Sequence, residues 1–161
     1  MKPLLGAFTC FLLAGAAMTL DCPDGCHRES QTQLQSQSPK VTIRDKTWSV
    51  ELATTPQQVE HGLAGRKELA ADAGMLFIFP RPAVRDFWMQ GCLVPLDVAF
   101  LDEHRRVVGI YTMAVEPDQV GRATYRSPAP AKYALEVNAG ALAAAGVKVG
   151  DVVAFGGDIP R

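Results

Sequence analysis

Trp88, Gln90, Asp97 and Glu136 are the side chains in this sequence whose types best suit a binding site. An aromatic plate with carboxylates and an amide beside it is the make-up of a site for a sugar or another small polar ligand. All four lie in segments whose residue types alternate, so their faces can be sorted. In Val84 to Gln90, Phe87 and Met89 share one face, and Asp86, Trp88 and Gln90 the other. In Leu96 to Leu101, Leu96, Val98 and Phe100 stand opposite Asp97, Ala99 and Leu101. In Tyr133 to Val137, Tyr133, Leu135 and Val137 stand opposite Ala134 and Glu136. If these strands are neighbours, the four polar and aromatic residues line one concave face. The structural alternative puts Trp88 in the core and uses both carboxylates to cap backbone groups or to pair with Arg66, Arg85 or Arg126. An unpaired buried carboxylate costs several kcal/mol, so partners are needed in either case. Asp97 and Glu136 would also serve as a general acid/base pair for glycoside cleavage if suitably separated. Nothing in the spacing fixes that separation, and no catalytic residue is assigned.

The remaining reactive side chains give weaker patterns. Cys10 lies in an apolar leader, which leaves Cys22, Cys26 and Cys92. Cys22 and Cys26 are candidates for a small disulfide loop in an oxidising compartment. Cys22 to His27 differs from a haem-attachment motif in having three residues between its cysteines where two are usual. Cys92 has only His61 and His104 as bases within the domain, neither near in sequence, and reads as a packed small apolar residue. Asp97, Asp102, Glu103 and His104 have no metal-ligand spacing, and Asp102-Glu103-His104 reads as a hairpin turn. There is no glycine-rich phosphate loop and no Gly-x-Ser-x-Gly elbow. No metal or other cofactor is expected.

The elements that must carry these residues fit one domain. The chain has 161 residues, 48% hydrophobic and 20% charged, which excludes a coiled coil, a collagen-like chain and a disordered protein. Sixteen Lys and Arg against seventeen Asp and Glu leave a net charge of −1 and argue against nucleic acid as a partner. Lys2, the apolar run Leu4 to Leu13 and Ala14-Gly15-Ala16 make a signal peptide over residues 1–17, cut after Ala16 or Ala17. The alternatives are an uncleaved membrane anchor over Leu4 to Leu20, and lipid attachment at Cys22. Met18-Thr19-Leu20-Asp21 argues against the second, because it lacks the small residue expected beside a lipidated cysteine. The expected location is periplasmic or otherwise in the cell envelope. Residues 18–39 are a polar tether, 40–156 a single β domain and 157–161 a tail.

Within the domain, Val41 to Ala53 reads as a hairpin and Thr55-Pro56-Gln57-Gln58 as a capped helix start. Gly74 to Phe79 is a buried strand stopped by Pro80. Val84 to Gln90, Leu96 to Leu101, Val107 to Met113, Tyr133 to Val137 and Val152 to Phe155 are further strands. Thr112 to Ala131 is a long proline-containing loop, and Asn138 caps a short alanine-rich helix ending at Gly146. The fold class is mainly β: an antiparallel β-sandwich or partly open barrel with one or two short helices.

Several of these segments carry a family resemblance in series. They are Glu51-Leu52-Ala53, Gly62-Leu63 with Arg66 and Leu69, Gly74-Met75-Leu76-Phe77, Phe87-Trp88-Met89, Pro95-Leu96-Asp97, Tyr133-Ala134-Leu135-Glu136 and Val149-Gly150-Asp151. Their order and spacing over residues 48–155 resemble the domain of unknown function 192 family, small and often exported β-sandwich domains. The resemblance implies a fold and brings no activity. Ala64 stands where the family usually has Met, and Gln90-Gly91-Cys92 replaces its usual Lys-Asn-Thr, so a specificity shared with relatives is not implied. The expected function is an exported, non-catalytic binding or accessory module of the cell envelope, taking a small polar ligand or an envelope protein on the Trp88 face or the long Thr112 to Ala131 loop. The alternatives are an envelope hydrolase using Asp97 and Glu136, and a domain that docks protein partners through a sheet edge or an apolar patch. Membrane contact is expected only through an uncleaved leader.

Overall fold

The computed structural model describes residues 37–160. The leader, most of the tether and the Cys22–Cys26 pair lie outside the described residues. The domain is mainly β, built from nine strands and two short helices among the described residues. β1 (Lys40–Ile43) and β2 (Lys46–Ala53) form the expected hairpin. Its turn is tied across the molecule by Arg44, which donates to both Asp151 carboxylate oxygens at 2.7 and 3.1 Å. α1 (Pro56–His61) begins at Thr55 with a full capping box. The Thr55 hydroxyl accepts from Gln58 N–H, and the Gln58 side chain accepts from Thr55 N–H, so two of the helix's orphan donors are satisfied reciprocally.

β3 (Ala73–Ala83), β5 (Leu96–Leu101), β6 (Val107–Met113), β8 (Ala131–Asn138) and β9 (Val153–Gly156) complete one sheet with the order β6-β5-β8-β3-β2-β1-β9. β4 (Asp86–Phe87) and β7 (Tyr125–Arg126) pair as a small separate sheet. The large sheet curls until its two edges meet at one end, where Arg106 and Val152 form an isolated bridge. Val107 N–H to Asp151 C=O at 2.9 Å and Val153 N–H to Arg105 C=O at 2.9 Å extend that seam. The result is the partly open barrel.

Alternation then divides the core in two. Val41, Ile43, Trp48, Leu76, Ala99, Leu101, Leu135 and Val153 belong to one buried cluster, inside the curl, with Leu142 of α2 (Ala141–Ala144) closing it. Met75, Phe77, Phe79, Val98, Phe100 and Ala134 point the other way and pack under Leu63, Phe87, Met89 and Cys92. The central strand β5 is consequently buried at every residue. An aromatic chain of edge-to-face contacts, Phe77–Phe87–Phe100–Tyr111, ties the covering segments to the sheet at centroid distances of 5.0–6.1 Å.

Four local expectations are corrected. β2 and β3 pair in parallel, linked by the α1-bearing crossover 54–72, so the sheet is not antiparallel throughout. β3 does not stop at Pro80 but runs on to Ala83; Pro80 and Pro82 sit where its pairing to β8 is interrupted, between Ile78 and Ala83, so their missing N–H groups break no ladder bond. The segment Val84 to Gln90 is strand only at Asp86–Phe87. The short helix is capped by Gly140, not Asn138, whose side-chain amide instead donates to the Leu69 and Ala70 carbonyls at 3.0 Å.

Gly74 marks the tightest approach in the β3–β8 pair. A Cβ there would lie 2.5 Å from the Glu136 carbonyl oxygen and 3.0 Å from Val137 Cγ1. Backbone cannot retreat as a flexible side chain can, so Gly74→Ala is expected to destabilise the domain by about 1–3 kcal/mol, read as a lowered midpoint in urea unfolding.

Candidate functional site

A cavity of about 450 Å³ opens on the outer face of the sheet, between α1, the middle of β3 and the segment 84–92. Val59, Phe77, Phe79 and Phe87 form its apolar walls, and Trp88, Gln90 and Arg85 also line it. Glu136 reaches it from β8 and is only 4% exposed. Its carboxyl group has no hydrogen-bond or ion-pair partner among the described residues. Burial among these rings pushes its pKa up to about 8, so the group is a neutral acid at pH 7. Gly62 explains how the chain passes so close. Its φ of +50° is the left-handed region, and a Cβ would meet Phe77 Cζ at 3.4 Å and Glu136 Oε2 at 3.8 Å. Glycine at the end of α1 therefore turns the chain over the acid with neither strain nor side chain.

The other wall is held by the long loop. The Glu116 carboxylate accepts from the N–H groups of Gly121, Arg122 and Ala123 at 2.7–2.9 Å, which folds the loop into a compact turn and holds its pKa below the usual range. Gly121 then packs against the Gln90 backbone, and Gln119 C=O accepts from Gly91 N–H at 3.0 Å. The loop has little regular structure, yet it acts as a strut behind Trp88 and Gln90.

Three of the four residues singled out from the sequence thus line one cavity: Trp88, Gln90 and Glu136. Trp88 is 42% exposed and is not a core residue. Asp97 is elsewhere. In the β5–β8 register Glu136 stands opposite Val98, whereas Asp97 stands opposite Val137, so the two carboxylates lie on opposite faces of the sheet. Asp97 is the buried cap of the alternative reading: it accepts from Thr112 Oγ1 at 2.7 Å and from Leu142 N–H at 3.1 Å. The acid/base pair of these two residues is thereby overturned, because no single substrate can lie between opposite faces of a sheet. None of the arginines considered as partners reaches either carboxylate. Arg66 pairs with Glu51, Arg126 with Asp86, and Arg85 with no acid among the described residues.

Sequence reasoning missed Arg85 and the three phenylalanines as lining residues; only a paired strand order reveals that Phe77, Phe79 and Phe87 converge. Cys92 also lines the cavity. Burial, then the neighbouring Glu136, push its thiol pKa to about 11, so it is no thiolate nucleophile at neutral pH. Among the described residues no three His, Cys, Asp or Glu side chains gather as metal ligands, and no helix is long and apolar enough to cross a membrane.

A curled, mainly β sheet with a buried cluster on each face and an aromatic cavity on its outer face defines a small β domain. The model of the DUF192 family, described as an uncharacterized ACR, matches residues 39–155, and the chain belongs to that family. A protein of unknown function from Novosphingobium aromaticivorans is 32% identical with a TM-score of 0.65, covering 71% of this chain and 83% of its own. A protein from Sinorhizobium meliloti described as a candidate transcription regulator is also 32% identical, with a TM-score of 0.65 over 73% of this chain and 91% of its own. No curated protein matches the chain. The two departures from the family pattern touch each other. A Cβ at Gly91 would lie 3.3 Å from Ala64 Cβ, and Gly65 N–H donates to Gly91 C=O at 2.8 Å.

Two outcomes follow from the carboxylates. In the unfolded chain Glu136 titrates near the ordinary glutamate value of about 4.3, while in the folded protein it holds its proton up to about pH 8. The folded state binds the extra proton between those values, so this group's contribution to stability falls as pH rises from about 4.5 to 8 and is level above. Glu136→Gln is expected to flatten that part of the melting-temperature profile and to raise the melting temperature at pH 8 by several degrees. Asp97→Ala leaves Leu142 N–H buried without its acceptor and is expected to cost about 1–3 kcal/mol in denaturant unfolding.

Proposed function

We propose that this chain is an exported, non-catalytic binding module of the cell envelope, and that its ligand seats in the cavity over Glu136. The observation that carries this reading is a buried acid without a partner, aimed into an aromatic-walled cavity. Buried polar groups in folded proteins are nearly always hydrogen-bonded, and an exception in a cavity marks a place where a partner arrives from outside. The volume falls within the range of small-molecule sites, and the lining has their usual form of apolar walls with a few polar groups. A neutral carboxyl group both donates and accepts, which suits a ligand hydroxyl, amide or carboxyl group. Trp88 supplies a flat apolar surface at the opening, and Gln90 a second donor and acceptor. The leader supports export, since the only charge ahead of its apolar run is Lys2 and small residues follow at the cleavage positions.

The test is a thermal-shift screen of the full-length chain at pH 7 against sugars, cell-wall fragments and small organic acids. A ligand at a hundred times its Kd adds about 2.7 kcal/mol, which moves the melting temperature by roughly ten degrees in a domain of this size. The expected result is a shift abolished by Trp88→Ala and by Glu136→Leu, both still folded, and kept in Asp97→Asn. A shift that persists in both cavity variants would place the ligand elsewhere and refute the assignment.

A further inference from the structure

Arg85 gives the cavity a polarity that its aromatic walls do not explain. The backbone of Arg85 is fixed, since its N–H donates to the Ser127 hydroxyl at 2.9 Å and its carbonyl accepts from Ser127 N–H at 2.8 Å. Ser127 is itself buried, and its hydroxyl donates onward to Ala129 C=O at 2.8 Å. The guanidinium stacks over the Phe79 ring at 4.0 Å and donates from Nη2 to Arg81 C=O at 2.5 Å. Those contacts leave its charge uncompensated. Nε is buried without a partner, and no carboxylate lies within ion-pair distance among the described residues. The adjacent Asp86 is no counter-ion, because both its oxygens are taken by Arg126 at 2.8 and 2.9 Å. Partial burial accordingly lowers the pKa of Arg85. Glu136, holding its proton, adds no negative charge to the cavity at pH 7, and Glu60, which lines it from α1, makes no ion pair with Arg85.

A rigidly held guanidinium with free donors, beside aromatic rings, matches a ligand with an anionic group on an apolar body. Resting on the cavity assignment above, we propose that the ligand is a small organic acid, its anionic group paired with Arg85 and its apolar body packed between Phe77, Phe79, Phe87 and Trp88. Arg85 is the residue that sets this preference. Val84 and Trp88, which line the cavity and are 49% and 42% exposed, give the body apolar surface to cover.

The experiment is isothermal titration of the full-length chain with three probes sharing one aromatic body: naphthylacetate, naphthylethanol and naphthylethylamine. Naphthylacetate is expected to bind about tenfold or more tighter than the alcohol, and the amine weakest. Arg85→Leu should bring acetate and alcohol to the same affinity, and Arg85→Lys should restore part of the difference, since it keeps the charge but loses the fork. Equal or tighter binding of the amine or alcohol to the wild-type protein would overturn the acid preference while leaving the cavity as the site. The same holds for an acetate preference that survives Arg85→Leu. Binding of none of the three to the folded wild-type protein at millimolar concentration would overturn the cavity assignment itself, and the acid preference with it.

Discussion

A β-sheet whose strands are apolar on both faces has to be covered twice. β5 is the limiting case, since alternation sends Leu96, Val98 and Phe100 one way and Ala99 and Leu101 the other, and all are buried. This domain covers one face by curling the sheet onto itself and closing the seam at Arg106 and Val152. The other face is left to irregular chain: the α1 crossover, the β4–β7 pair and the loop folded around Glu116. Irregular segments cannot match a sheet residue for residue, and the cavity is where their cover is incomplete.

Glu136 occupies that gap, a buried acid among apolar neighbours. Its register partners Met75 and Val98 are apolar, as is Phe77 beside it, so the sheet offers it nothing to bond. Solvent does not reach it enough to hydrate a charge, and the group keeps its proton instead. Gly62 adds to the exposure of the acid within the cavity by bringing no side chain over it. The arrangement gives up folding stability at neutral pH and keeps a proton-bearing carboxyl group on a central strand.

The faces within each strand were legible from the sequence, because the side-chain period in a strand is two whatever lies beside it. Leu96, Val98 and Phe100 do share a face, and so do Tyr133, Leu135 and Val137. What alternation cannot supply is the phase between strands. Asp97 and Glu136 each sit on the face opposite their strand's apolar set, yet the β5–β8 register puts those minority faces on opposite sides of the sheet. The capping box at Thr55 and Gln58 was legible because it is local chemistry. The parallel β2–β3 pairing was not, because it depends on where a crossover lands. Proline misled at Pro80, whose missing N–H matters only where a ladder bond is due. Asn138 misled because its amide finds tertiary carbonyls in place of the helix end. Arg85 was named from the sequence only as a structural partner for a carboxylate; its place in the cavity shows only once the carboxylates are seen engaged elsewhere.

The hairpin partner of β2 also pairs with the last strand, Lys40 lying opposite Gly156. Just beyond, Gln37 C=O accepts from Asp158 N–H at 3.3 Å, so both ends of the domain leave from one corner. A fold with adjoining ends is a cassette. It can be spliced into a surface loop of another protein without parting any strand from its neighbours.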